Sequence, residues 1–132
     1  MVRLLLLCLF VVGSFSVGYS QNTLSFCASV EKDGFCAFDN TRFITQRDSG
    51  YGRLYLLVRN PGGIGYGHLT YKLYEIKDGK ESFQNSIEQT LQPDWIYGWQ
   101  IGYFKSPGKY NVQVVNDAGT VICSKGFELF DR

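Results

Sequence analysis

The chain of 132 residues has a single histidine, His68. A Ser/His/Asp arrangement needs its base in register with a nucleophile and a carboxylate. No Gly-x-Ser-x-Gly elbow is present to raise a serine. A hydrolase would have to gather His68 with Cys123 or another nucleophile in a cleft, and the plainer place for a lone imidazole is a strand end. Charge of one sign is lacking too: 13 Lys and Arg stand against 12 Asp and Glu, for a formal net charge of +1. Such a balance excludes the basic excess that meets nucleic acid, and it excludes electrostatic docking on anionic membranes. Beyond the first residues there is no apolar run of about 20, the length needed to cross a bilayer core, so the mature chain is expected to have no membrane span. No histidine stands near the cysteines at zinc-finger spacing, so no metal is expected. The glycine-rich run Gly63-Ile64-Gly65-Tyr66-Gly67 has no helix N-terminus after it to hold a phosphate. No cofactor is expected. There is no long internal repeat.

What is present begins with a leader. Met1-Val2-Arg3 is a short basic start, Leu4 to Val12 is apolar, and Gly18 and Ser20 put small residues at −3 and −1 of a cut before Gln21. This pattern is expected to be a cleavable secretory signal over 1–20, leaving a single domain over 21–132 in a secreted or periplasmic setting. Arg3 carries the whole formal net charge, so the exported chain is neutral. Cys8 leaves with the leader, and Cys27, Cys36 and Cys123 remain. Export favours a disulfide, and the odd count leaves one thiol over. The simplest pair is Cys27 with Cys36 across the turn Lys32-Asp33-Gly34. Either of them with Cys123 stays open.

Aromatic content of 16 % and 15 glycines fit a turn-rich β protein better than a helical bundle or a disordered tail. Strands are expected at Leu24–Val30, within Phe35–Ile44, at Arg53–Arg59 and at Leu69–Ile76. Period-two alternation puts Leu54, Leu56 and Val58 on one face, and Leu69, Tyr71 and Leu73 on one face. Gln46–Gly50 reads as a turn, and Asp78-Gly79 as a tight hairpin turn. Glu81–Leu91 reads as a further strand, although Phe83, Ile87 and Leu91 also suit a short helix. Trp95–Phe104, Lys109–Val115 and Thr120–Phe130 complete the set. Asn60 to Gly67 is expected to be a mobile loop with Tyr66 at its tip, a contact point beside His68.

Carboxylates for glycoside hydrolysis would have to face each other across a cleft. Asp94 and Glu88 are available for this, whereas Asp33 and Asp117 sit in turn signatures that favour Asp for backbone geometry. The most distinctive feature is the aromatic row after Pro93. In one regular strand, Trp95, Tyr97, Trp99, Ile101 and Tyr103 share a face, while Gly98 and Gly102 lie opposite. The default expectation is core, because aromatic burial dominates β-sandwich packing. The rival readings are an exposed platform for sugars or a protein partner, and a bulge that sends Trp95 out and Trp99 in.

Pro107-Gly108-Lys109-Tyr110-Asn111-Val112-Gln113-Val114, with Phe104 before it and the hairpin Asn116-Asp117-Ala118-Gly119 after it, resembles the corner and penultimate strand of immunoglobulin-like and fibronectin-type-III-like domains. The resemblance implies an all-β fold, a single immunoglobulin-like antiparallel β-sandwich of about seven strands, with Tyr110 buried and bonded to backbone at the corner. Val112 stands where antibody-type domains carry their second cysteine, which excludes that subclass. Fold alone implies no function. The expectation is a non-catalytic binding or assembly module with a protein or carbohydrate partner, using Tyr66, His68, Trp95, Tyr97, Trp99 and Tyr103. The alternative is a secreted proteinase inhibitor, since Asn60-Pro61-Gly62-Gly63 and Pro93-Asp94-Trp95 are similar to loop motifs of the immunoglobulin-like, chagasin-like inhibitors of cysteine proteinases.

Overall fold

Alternating apolar and polar side chains dictate strands with one buried face, and two such faces must meet. A computed structural model of the chain describes residues 22–44 and 52–130. The leader over 1–20 and the turn Gln46–Gly50 lie outside the described residues. The described chain is all-β. In chain order its strands are β1 (Thr23–Cys27), β2 (Ser29–Val30), β3 (Cys36–Ala37), β4 (Arg42–Ile44), β5 (Gly52–Arg59), β6 (His68–Lys77), β7 (Lys80–Thr90), β8 (Tyr97–Phe104), β9 (Gly108–Val115) and β10 (Val121–Phe130).

They form three sheets: β1-β5-β8, β4-β10-β9-β6-β7, and the small pair β2-β3. The expectation of about seven antiparallel strands is therefore corrected to ten strands among the described residues, with β4 and β10 running parallel. The extra elements are short. The strand expected over Leu24–Val30 breaks at Ala28, whose N–H turns to the carbonyl of Ala37 at 2.8 Å, so that β2 pairs with β3 instead of continuing along β5.

The two larger sheets pack on a common core. Leu24, Phe26, Leu54, Leu56, Val58 and Phe104 enter from the first sheet. Leu69, Tyr71, Leu73, Tyr110, Val112, Val114, Phe127 and Leu129 enter from the second. The alternation expected for β5 and β6 is thus the alternation found, and β9 alternates in the same way through Tyr110, Val112 and Val114. Each fully buried large side chain contributes about 1.5–3 kcal/mol of transfer free energy. The aromatic centre of this core is Phe26, Phe104, Tyr110 and Phe127, with ring centroids of Phe26 and of Phe104 each 4.7 Å from Phe127. The tryptophans take no part in it.

Local chemistry fixes the corners. Asp78 and Gly79 take φ of 52° and 75°, the paired left-handed conformation of a two-residue hairpin turn. Tyr110 is buried, and its hydroxyl donates to the Ser106 carbonyl at 2.6 Å, closing the turn between β8 and β9. Asn116 Oδ1 accepts from the N–H groups of Ala118 and Thr120, each at 3.0 Å, and so shapes the last hairpin. Cys27 and Cys36 form a disulfide with Cα atoms 5.3 Å apart. That bridge ties the β2–β3 hairpin to the end of β1.

Candidate binding surface

Strand parity decides the fate of the aromatic row. On β8 the inward positions are Gly98, Gly102 and Phe104, all buried. A Cβ on Gly102 would lie 3.0 Å from the Phe104 ring and 3.3 Å from Leu56. The ring of Phe104 fills that space, which is why the small residues face in and the large ones face out. Trp95, Trp99 and Tyr103 are 45 %, 38 % and 55 % exposed. The default expectation of a buried row is overturned: four other aromatics, brought together from β1, β8, β9 and β10, already fill the core. No bulge divides β8, whose pairing with β5 runs in unbroken register from Gly52↔Phe104 to Arg59↔Tyr97.

The outward face is braced by its neighbours. Trp99 lies against Tyr55, with centroids 5.0 Å apart. Tyr97 is half-buried, because the turn before Cys36 folds onto it. Its hydroxyl donates to the Lys32 carbonyl at 2.6 Å, and Gly34 sits so close that a Cβ there would be 2.7 Å from the ring. Gly34 also has φ of 82°, so glycine is required there on both counts. The guanidinium of Arg59 donates to the Gly34 carbonyl. Asp33 Oδ1 accepts from the N–H of Phe35 at 3.1 Å, the turn role expected of it.

Asn60 to Gly67, expected as a mobile loop, is hydrogen-bonded along its backbone to the loop before β8. Ile64 N–H donates to the Trp95 carbonyl and Gly65 N–H to the Pro93 carbonyl, both at 2.8 Å. Asn60 N–H donates to the Ile96 carbonyl at 2.8 Å, and Leu91 N–H to the Gly67 carbonyl at 3.0 Å. The loop before β6 and the loop before β8 are therefore zipped side by side. Burial of Ile64 drives the inner loop toward the core, and Tyr66 packs half-buried against that core instead of standing at a tip. His68 begins β6. Its Nδ1 is 3.1 Å from Asp117 and its Nε2 3.7 Å from Glu88, so the β9–β10 turn closes on the same end of the molecule.

Trp95, Tyr97 and Trp99 line one groove of about 580 Å3 with Gln89, Asp94, Ile96 and Gly98. Tyr66, His68 and Tyr103 do not line it. Tyr103 instead lines a second cavity of about 500 Å3 with Glu75, Ser106 and Tyr110. Sequence reasoning missed Gln89, which joins the two sheets at their open side. Its Oε1 accepts from Tyr71 at 2.6 Å, and its Nε2 donates to the Trp99 carbonyl at 3.2 Å. A glutamine in a polar edge strand carries no signal of such a role. It also missed Glu75, a carboxylate buried within an otherwise alternating strand, whose Oε1 lies 3.5 Å from the Lys77 ammonium.

Cys123 is part-buried, and that burial pushes its thiol up to about 12, which disfavours the thiolate at neutral pH. Burial, with Cys123 nearby, also raises the Tyr71 hydroxyl well above the usual phenol range. Among the described residues no cluster of three or more His, Cys, Asp or Glu could hold a metal ion. Among the described residues no helix is long and apolar enough to cross a membrane. No protein-family model matches the chain, and no curated protein matches it by sequence.

Proposed function

We propose that this chain is an exported, non-catalytic binding module of immunoglobulin-like fold, and that its binding surface is the outward aromatic face of β8 at the end where three loops meet. The observation that carries the reading is the exposure of two tryptophans, one in β8 and one in the loop before it, that line the same groove while the core is complete without them. Soluble proteins rarely leave large aromatics open in a contiguous patch without a partner to cover them, and Trp and Tyr dominate the energetics of recognition surfaces. The Cys27–Cys36 disulfide is compatible with an extracytoplasmic setting.

The immunoglobulin-like reading draws support from strand order. Among the described residues seven strands are five residues or longer, arranged as β1-β5-β8 against β10-β9-β6-β7. In immunoglobulin letters these are A-B-E against G-F-C-C′, with Tyr110 at the start of F bonded back to the preceding turn.

The experiment replaces Trp95 and Trp99 singly by Ala and reads stability beside binding to a panel of glycans, N-methylated amines and papain-type proteinases. The expected result is variants that fold, with losses of about 1 kcal/mol each because the rings are part exposed, and that no longer bind the panel member the parent binds. Variants that fail to fold, with no separable loss of binding, would make the row structural and end the proposal.

A second reading, a proteinase inhibitor, is favoured by one observation: the loops carrying Asn60-Pro61-Gly62-Gly63 and Pro93-Asp94-Trp95 are hydrogen-bonded together along their backbones. Such pairing would let the two loops present their residues to one partner together. Titration against papain distinguishes it, and absence of inhibition at micromolar concentrations would remove it.

A further inference from the structure

The groove beside β8 has a definite chemical character. Three aromatic side chains line it, Trp95, Tyr97 and Trp99, and one charged side chain, Asp94. Asp94 is exposed, and no ion pair or hydrogen bond engages its carboxylate among the described residues. Arg59, paired opposite Tyr97 across the two strands, donates its guanidinium to the Gly34 carbonyl and makes no ion pair with Asp94. Aromatic faces carry negative quadrupole potential, and a cation above them is attracted by about 0.5–2 kcal/mol per good contact. An uncompensated carboxylate at the rim adds to that potential.

We infer that this groove takes a quaternary ammonium group, with Trp95, Tyr97 and Trp99 as its walls and Asp94 as its counter-charge. The inference rests on the binding reading above and names the ligand class for that site. A primary ammonium would bring three N–H donors that indole and phenol faces cannot satisfy, together with a tightly held hydration shell. A quaternary ammonium has no N–H to satisfy, carries its charge diffusely over methyl groups, and buries those methyls against the rings. A neutral sugar would stack on the tryptophans but leave the Asp94 charge without compensation.

The walls are set in place before any ligand arrives. The Trp95 carbonyl is tied to Ile64 and its N–H to the Gln92 carbonyl at 3.0 Å. The Tyr97 hydroxyl is tied to Lys32. The Trp99 carbonyl is tied to Gln89, and the Trp99 ring rests on Tyr55. Ordering of the backbone, and of the Tyr97 and Trp99 side chains, lowers the entropy cost of binding.

The two tryptophans of the chain both stand in this groove, so intrinsic fluorescence reports on it without a label. The test titrates the full chain with choline chloride, with its uncharged carbon isostere 3,3-dimethylbutan-1-ol, and with chitotriose, all at fixed ionic strength. The account expects a saturable change with choline and affinity for the isostere about tenfold weaker or less. It also expects Asp94→Asn to weaken choline by about three- to tenfold while leaving the unfolding midpoint unchanged. If the isostere or chitotriose saturates the signal as well as or better than choline, the ammonium assignment is overturned and the aromatic binding surface stands. Choline binding that Asp94→Asn leaves intact also overturns the assignment. If no probe and no member of the wider panel moves the signal, both readings fall.

Discussion

Gln89 is the residue whose replacement tests the packing of the two sheets most sharply. It accepts from the buried Tyr71 hydroxyl at 2.6 Å and donates to the Trp99 carbonyl at 3.2 Å. Gln89→Leu removes both bonds while keeping most of the volume. A typical net hydrogen bond contributes about 1 kcal/mol, but a buried donor left without a partner costs about 1–3 kcal/mol. The Tyr71 hydroxyl is such a donor, whereas the Trp99 carbonyl lies near the surface and can hydrate. The expected loss for Gln89→Leu is therefore about 2–3 kcal/mol. Tyr71→Phe alone leaves an acceptor on a half-buried side chain and is expected to cost about 1 kcal/mol. In the double variant no donor is stranded, so its cost should fall below the sum of the singles by about 1 kcal/mol or more. Urea unfolding of the four proteins gives the cycle directly, provided the m-values agree. Additivity to within about 0.3 kcal/mol would refute the bridge.

Other expectations follow from the bridge and the buried thiol. Replacing Cys27 and Cys36 by Ser opens a loop with a sequence separation of 9. Chain-entropy reasoning sets the loss near 2.7 kcal/mol, and thermal melting should fall by roughly 10 °C or more; a change under about 3 °C would contradict the bridge. Cys123 holds its proton up to about 12 in the folded state, against an ordinary value of 9.0. The unfolded chain thus ionises first, so stability is fully present below pH 9 and is lost as pH rises toward 12. Unfolding midpoints in Cys123→Ala should be flatter over that range than in the parent, and the part-buried Cys123 should react with thiol reagents more slowly in the native than in the unfolded chain.

Much of the scaffold was legible because alternation is a local signal. Leu54, Leu56 and Val58 announce the inner face of β5 without reference to any other strand, and Asp78-Gly79 announces its own turn. Glu81 to Thr90 was legible as a strand from its context, despite a helix-like spacing. The site was not legible in the same way. Whether Trp95, Trp99 and Tyr103 face in or out depends on who else fills the core, and that is decided by Phe26 and Phe127, at opposite ends of the described chain. Both faces of β8 offered a packing argument, one through aromatics and one through glycines. Only the ring of Phe104 over Gly102 chooses between them. The segments holding β2, β3 and β4 were expected to be extended, but their division into separate short strands was not legible, since two or three residues carry no period. The anchoring of Asn60–Gly67 depends on carbonyls of Pro93 and Trp95, thirty residues away, which composition cannot reveal.

The account turns on the outward face of β8, and the most direct measurement of it is collisional quenching of the native chain's tryptophan emission by acrylamide. Trp99 is on that face and Trp95 stands in the loop that leads into it, at 38 % and 45 % exposure, so the emission should be red-shifted and open to quenching in the folded state, with a modest further change on unfolding in urea. A blue-shifted emission that resists quenching until the protein unfolds would place the row in the core and contradict the account.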